Sequence, residues 1–239
     1  MVDRQPEQPA TPAAVPWLVL TGATSGIGAA VARGWREAGG QVLGVSRHPE
    51  GSAADAWVHS DLRDPWGAAA QVAGAASARR VGAFVHAAGV VYADSAHRTT
   101  PDEWSQTVAV NLTAAFALAR VLAPRLQAPR SLVLVGSIDA CLAPRAGPDA
   151  AYGAAKAGLV GLTRHLAVEW GPEGLSVNAV LPGPMASGMG VAAGGPPKGA
   201  ADGQWTLPEE VAAAILFLLR ARGITGQALR VDHGWQLGY

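Results

Sequence analysis

Short apolar runs alternate with longer helical ones along this chain, and that alternation limits the fold more than any other feature. The runs are Trp17–Thr21, Gln41–Val45, Ala56–Ser60, Ala83–Ala87, Ser131–Ser137, Ser176–Leu181 and Ala228–Val231. Cores such as Leu18-Val19-Leu20 and Leu132-Val133-Leu134-Val135 are continuously apolar, as strands buried on both faces require. Helices are predicted near 27–38, 65–77, 101–123, 150–170 and 208–221. Asp149 would cap the fourth, Gly171-Pro172 would stop it, and Pro208 would sit in the first turn of the last. The expected fold class is α/β: one doubly wound domain, residues 17–239, with a seven-stranded parallel sheet covered on both faces. Residues 1–16, rich in Pro, Ala and Gln, read as a flexible lead-in. Gly183–Gly203, crowded with Gly, Ala and Pro, reads as a long loop, and the segment at about 184–206 is the expected substrate loop.

Composition narrows the class of function. Of 239 residues, 49% are hydrophobic and 15% charged, which supplies a buried core and argues against disorder. Eighteen basic and eighteen acidic side chains balance, so no footprint for nucleic acid or an anionic membrane is expected. No apolar run is expected to reach the length of a membrane span, and the N-terminus lacks the apolar core of a signal peptide. Cys141 is the only cysteine, which rules out an intrachain disulfide and points to a reducing, cytoplasmic setting. Six histidines show no metal-ligand spacing.

Three motifs carry chemistry. The loop Thr21-Gly22-Ala23-Thr24-Ser25-Gly26-Ile27-Gly28 follows the first strand and opens a helix. Its glycines would let the backbone approach a pyrophosphate held at the helix N-terminus. The spacing is Gly-x-x-x-Gly-x-Gly, so a glycine-rich turn without ligand is the plain alternative. The second strand ends in Ser46-Arg47, where an acid would select NAD. Ser46 does not repel a 2′-phosphate and Arg47 could bind one, which favours NADP over NAD; Arg47 as a solvated surface residue is the alternative. Asp61, with Leu62 after it, follows the third strand and could accept from an adenine amino group or cap the next turn. Tyr152 and Lys156 stand one helical turn apart on one face. A neighbouring ammonium is expected to draw the phenol's pKa down towards neutrality, suiting it to carbonyl or alcohol chemistry.

Together these motifs resemble the short-chain dehydrogenase/reductase family across nearly the whole chain after Pro16. His86-Ala87-Ala88-Gly89, Asn111 in Val110-Asn111-Leu112, Gly136-Ser137, Asn178-Ala-Val-Leu-Pro182-Gly183 and Ile224-Thr225-Gly226-Gln227 complete the likeness. The resemblance implies a catalytic tetrad of Asn111, Ser137, Tyr152 and Lys156. Tyr152 would be the general acid and Ser137 would steady the carbonyl oxygen. Lys156 would tune the phenol and hold the nicotinamide ribose, and Asn111 would hold a water linking Lys156 to solvent. It also implies cofactor contacts from Gly22, Thr24, Ser25, Gly26, Ile27, Gly28, Ala88, Gly89, Tyr152, Lys156, Pro182, Gly183 and Ser187. The implied reaction interconverts a small ketone and a secondary alcohol with NADP. Small residues Ala154, Ala157, Gly158 and Gly161 on the helix 150–170 match the face that relatives use for dimers or tetramers.

Three departures mark this chain. His86 replaces the asparagine that ordinarily ties neighbouring strands, and a structural role is expected of it. The Ser137-to-Tyr152 interval is two residues longer than usual, with Pro144, Gly147 and Pro148 in the insert. The segment from Pro184 to Trp205 is short for a substrate lid, and its Gly-Gly-Pro-Pro-Lys core disfavours a helix. His233 stands where relatives commonly have glycine, beside the substrate loop or a subunit contact. Activity like that of 3-oxoacyl-carrier-protein reductases, and a non-catalytic NADP-binding regulator, stay open as alternatives. A nucleotide-sugar epimerase is disfavoured by length and glycine spacing.

Overall fold

The computed structural model describes residues 15–48, 53–143, 149–185 and 201–238. Seven strands form one parallel sheet: β1 Trp17–Thr21, β2 Gln41–Ser46, β3 Ala56–His59, β4 Val81–His86, β5 Ser131–Val135, β6 Ser176–Pro182 and β7 Ala228–Val231. Their order is β3-β2-β1-β4-β5-β6-β7. The chain therefore moves outward from β1 to one side, returns, and builds the other half from β4. The reversal between β1 and β4 opens a crevice at the C-terminal ends of the strands, where α/β sheets bind ligands.

Six α-helices cover the sheet: α1 Gly26–Glu37, α2 Pro65–Ser77, α3 Pro101–Val108, α4 Ala114–Leu122, α5 Ala150–Trp170 and α6 Pro208–Arg220. Alternate strand residues feed opposite faces. Val19, Phe84 and Leu132 pack with Leu118 and Leu159, whereas Leu18, Leu20 and Val133 pack with Trp35, Ile215 and Leu219. Each fully buried leucine in these layers contributes about 1.5–3 kcal/mol. Two-sided burial explains the unbroken apolar runs.

Helix starts follow capping chemistry. Asp64 accepts from the Gly67 amide, and Thr100 with Glu103 forms a reciprocal capping box. Asp149 accepts from the Tyr152 amide at 2.9 Å, as the sequence predicts. The helix predicted over 101–123 is present but locally rewound. Between α3 and α4 lies a π-helical turn, Ala109–Thr113, carrying Asn111. The full run Pro101–Arg125 corrects one expectation: by length and composition it could cross a membrane. Over half of its most apolar window is buried against the rest of the chain, as in a core helix.

The ends of β1 and β4 are stitched side by side, with Thr21 level with His86. The His86 ring is fully buried. Its Nε2 lies 3.1 Å from the Val110 carbonyl and must donate there. Its Nδ1, 3.1 Å from the Thr21 hydroxyl, accepts. The Thr21 oxygen in turn accepts from the amides of Ala87 and Ala88. His86 thus ties strands and the π-turn together, the structural role expected of it. Burial, reinforced by the charge of Lys156, lowers its pKa to about 3 and keeps it neutral. An unfolded histidine protonates near pH 6.5. The wild type should therefore lose stability relative to His86→Asn as pH falls from about 6.5 towards 4, by about 1.4 kcal/mol per pH unit. Denaturant melts of both proteins at three pH values measure this; parallel pH dependences would refute it.

Candidate active site

The turn after β1 leaves room for backbone alone. Gly22 has φ +73°, and a Cβ there would stand 2.8 Å from the Ala88 nitrogen. A Cβ on Gly28 would lie 2.0 Å from the Gly22 oxygen. Gly26, at φ +51°, has no atom within 4 Å of a Cβ position and borders open space. Ser25 occupies the N-cap of α1 without making a side-chain cap, and the first turn holds no acid. Helices α3 and α6, by contrast, carry acids in their first turns. The N-terminus of α1 thus keeps its amide donors and positive dipole end for an external anion. Thr24 and Ile27 are partly buried beside it. These residues fit a dinucleotide pyrophosphate.

The far end of the crevice begins where β2 ends. The Ser46 hydroxyl exchanges hydrogen bonds with the backbone of His48 at 3.1 Å, and Arg47 is exposed. Asp61 accepts from the Arg63 amide at 2.9 Å and from its guanidinium at 2.5 and 2.8 Å. Those bonds, more than the nearby charge of Arg47, hold its carboxyl below the usual range. Asp61 therefore shapes the turn before α2, although an exposed pair of this kind is weak and exchangeable. Leu62 is a core residue under that turn.

At the reacting end, the sheet brings β5 against β6 and delivers Ser137 just past the last paired residue, Val135. The Gly136 amide donates to the Val180 carbonyl, which holds this exit. Ser137 Oγ accepts from the Asp139 amide at 3.1 Å, and its hydroxyl also faces the Asp139 carboxyl and the Tyr152 phenol. From α5, Lys156 reaches under Tyr152, with its Nζ 5.3 Å from the ring centroid. The ammonium donates to the Val135 carbonyl at 2.9 Å and is 3% exposed. Burial lowers its pKa to about 8, against the pull of Asp139.

The expected lowering of the phenol is not found. Burial first, then the Asp139 carboxylate, pushes Tyr152 well above its ordinary value, with the Ser137 hydroxyl acting the other way. Burial disfavours the phenolate, the Asp139 carboxylate adds to that, and Lys156 donates to the Val135 carbonyl.

Asn111 sits fully buried on the π-turn packed against α5. Its amide nitrogen donates to the Val90 and Thr107 carbonyls at 2.8 and 2.9 Å, and its Oδ1 has no partner among the described residues. It makes no direct bond to Lys156. Ala88 joins the cradle through the Thr21 hydroxyl, and Gly89 follows it into the crevice. Pro182 ends β6; at Gly183 a Cβ would stand 2.7 Å from Asp232 Cα and 2.8 Å from the Thr206 hydroxyl. Ser187, the inserted Pro144, Gly147 and Pro148, and the lid core at 194–198 lie outside the described residues. One residue escaped the sequence reading, and the predicted cap Asp149 has a second task. Asp139 is visible only as the acid two places after Ser137. Asp149 also accepts from the Ala93 amide, tying α5 to the segment after β4.

Comparison with known proteins agrees with this geometry. The family model described as enoyl-(acyl carrier protein) reductase matches residues 22–236. The D-threitol dehydrogenase of Mycolicibacterium smegmatis is 30% identical over 92% of this chain and 92% of its own. The structure of 4-hydroxyisoleucine dehydrogenase complexed with NADH superposes with a TM-score of 0.83 at 26% identity, over 93% of this chain and 99% of that one. A short-chain dehydrogenase from Burkholderia cenocepacia in complex with NADP gives 0.82 at 28%, over 92% and 97%. The glycine cradle, the strand-end serine and the buried Tyr–Lys pair thus stand on a chain that belongs to the short-chain dehydrogenase/reductase family and is a nicotinamide-dependent oxidoreductase.

Proposed function

We propose that the chain interconverts a ketone and a secondary alcohol, that it uses NADP(H) in preference to NAD(H), and that Tyr152 is its general acid and base. The observation that carries this reading is the meeting of Ser137, Tyr152 and Lys156 at the C-terminal end of the sheet, which also holds the Gly22–Gly28 cradle. When bound, the nicotinamide supplies or accepts the hydride at the substrate carbon. In reduction, Tyr152 gives its proton to the carbonyl oxygen, and Ser137 donates a hydrogen bond to the same oxygen. The raised phenol keeps that proton in place near neutral pH, as an acid must. Lys156, charged below about pH 8, favours the phenolate left behind. Asn111 braces the π-turn against Val90 and Thr107 and so shapes the floor beside α5.

NADP preference is supported by Ser46 and the exposed Arg47 at the end of β2, neither of them an acid. Assembly as a homodimer or homotetramer is supported by a groove of about 450 Å³ on the outer face of α4 and α5. Leu112, Phe116, Gly158 and Leu162 line it. Gly161 leaves open space on the same helix. The reducing cytoplasm suits the exposed thiol of Cys141.

Tyr152→Phe should cut NADPH-driven ketone reduction by about 10²–10⁴-fold while NADPH affinity is retained. Unchanged turnover across a ketone panel would overturn the acid assignment. Arg47→Leu should weaken NADP by about 10–100-fold, the loss of a charge-assisted bond, and leave NAD nearly untouched. Equal losses, measured by titration, would refute the phosphate role. Gly161→Arg should shift the mass measured by light scattering to that of a monomer; a monomeric wild type would refute the assembly.

A further inference from the structure

Asp139 places beside the reacting centre a charge that the chemistry above does not employ. It lies in the short turn Ile138–Ala140 between β5 and α5. Its amide holds the Ser137 hydroxyl oxygen at 3.1 Å. Its carbonyl faces Gly153, 3.6 Å from where a Cβ would stand. The residue is therefore clamped between the serine and the turn of α5 that carries the catalytic phenol. Its side chain is half-buried. Burial raises the carboxyl above its usual range; the Ser137 hydroxyl draws it back, Asp149 adds to the rise and Lys156 opposes it. After burial itself, its carboxylate is the strongest influence on the Tyr152 phenol.

Among the described residues no Arg, Lys or His stands within ion-pair distance of Asp139. A carboxylate offers acceptors only. Half-buried and without a cation, it has the Ser137 hydroxyl as its donor; once Ser137 turns to the substrate oxygen, the carboxylate is best satisfied by a donor arriving with the substrate. The donor's place is defined by the oxygen that Ser137 and Tyr152 share. A hydroxyl on the carbon next to the reacting one stands beside that oxygen, within hydrogen-bond reach of a group adjoining Ser137. A substrate anion at that position would instead meet Asp139 with Asp149 behind it.

We propose that Asp139 determines specificity by accepting a hydrogen bond from a hydroxyl adjacent to the reacting carbon, so that the site selects vicinal hydroxyketones and polyols over simple ketones and 2-oxo acids. This inference rests on the functional reading above and deepens it to a substrate class.

The test compares NADPH oxidation by the full chain with 3-hydroxybutan-2-one, butan-2-one and 2-oxobutanoate. Asp139→Ala should lower the kcat/KM ratio of hydroxyketone to plain ketone by about 10–100-fold, the value of a charge-assisted hydrogen bond. Asp139→Asn, isosteric and still an acceptor, should lower the same ratio by less and should reduce 2-oxobutanoate better than wild type does. Melting temperature and NADPH affinity report whether each variant is intact; if the alanine variant fails to fold, the asparagine variant decides. An unchanged ratio, with equal effects on both ketones, overturns the specificity role and leaves the ketone reductase reading standing. A wild type that reduces none of the three, with no effect of Tyr152→Phe, overturns the functional reading and this inference with it.

Discussion

The close seam between the ends of β1 and β4 is the contact on which the rest of the molecule depends. Two strands that turn away from each other at their C-terminal ends leave a crevice, but only a tight seam below gives that crevice a rigid floor. Here the seam is a closed hydrogen-bond network. Val110 accepts from His86, His86 accepts from Thr21, and Thr21 accepts from Ala87 and Ala88. Every polar atom in it has a partner, which is what allows an imidazole to lie fully buried. Gly22 then sits against Ala88 at a distance that admits no side chain. The cofactor cradle and the π-turn bearing Asn111 are thus positioned by one network from opposite sides.

The reacting end is organised by the cost of buried charge. Lys156 and Tyr152 share one helical turn, yet the fold disfavours both charged forms, because little water reaches either. A protein selected for stability alone would place apolar side chains there. The apolar layers on both faces of the sheet supply the stability that lets this arrangement persist. A phenol that holds its proton is in the form that the proposed reduction uses. Asp139 adds to this by opposing negative charge on the phenol.

Much of this was legible in the residues, and the reasons for the misses are physical. Continuous apolar runs marked the central strands because two-sided burial leaves few polar positions to misread, whereas the edge strands β3 and β7 are only partly buried and include His59 and Arg230. Asp149 and Pro208 marked helix starts because capping is a local interaction. The tetrad residues were recognisable from order and context, and three of them meet in space. The direction of the Tyr152 shift was not legible. Helical spacing shows that two side chains share a face, but it says nothing of how deep that face lies or what carbonyl waits beneath it. The π-turn was hidden for a similar reason, since a single extra residue in a long helical pattern leaves its periodicity nearly intact. Asp139 was in plain view, but only the packing of its turn against Gly153 brings it to the reacting centre.

His233 shows how a departure from pattern can be held in place by its neighbours. It sits at φ +51°, a left-handed conformation that costs a residue with a Cβ about 1–2 kcal/mol. Glycine would remove that cost, so something must offset it. The imidazole lies between two carboxylates, with Nδ1 2.7 Å from Asp202 and Nε2 2.9 Å from Glu210. Its backbone carbonyl accepts from Ala201. Those carboxylates raise the histidine's pKa and are themselves lowered by it, so the clasp is strongest between the carboxylate and imidazolium titrations. The chain leaves the sheet at Gly183, where its amide bonds Val231, and Thr206 bonds Pro184 on the way into α6. Both feet of the segment between Gly183 and Thr206 are therefore pinned near the strand ends. Variation in the sequence between those feet can then be accommodated without disturbing the strand-end serine, the phenol or the glycine turn.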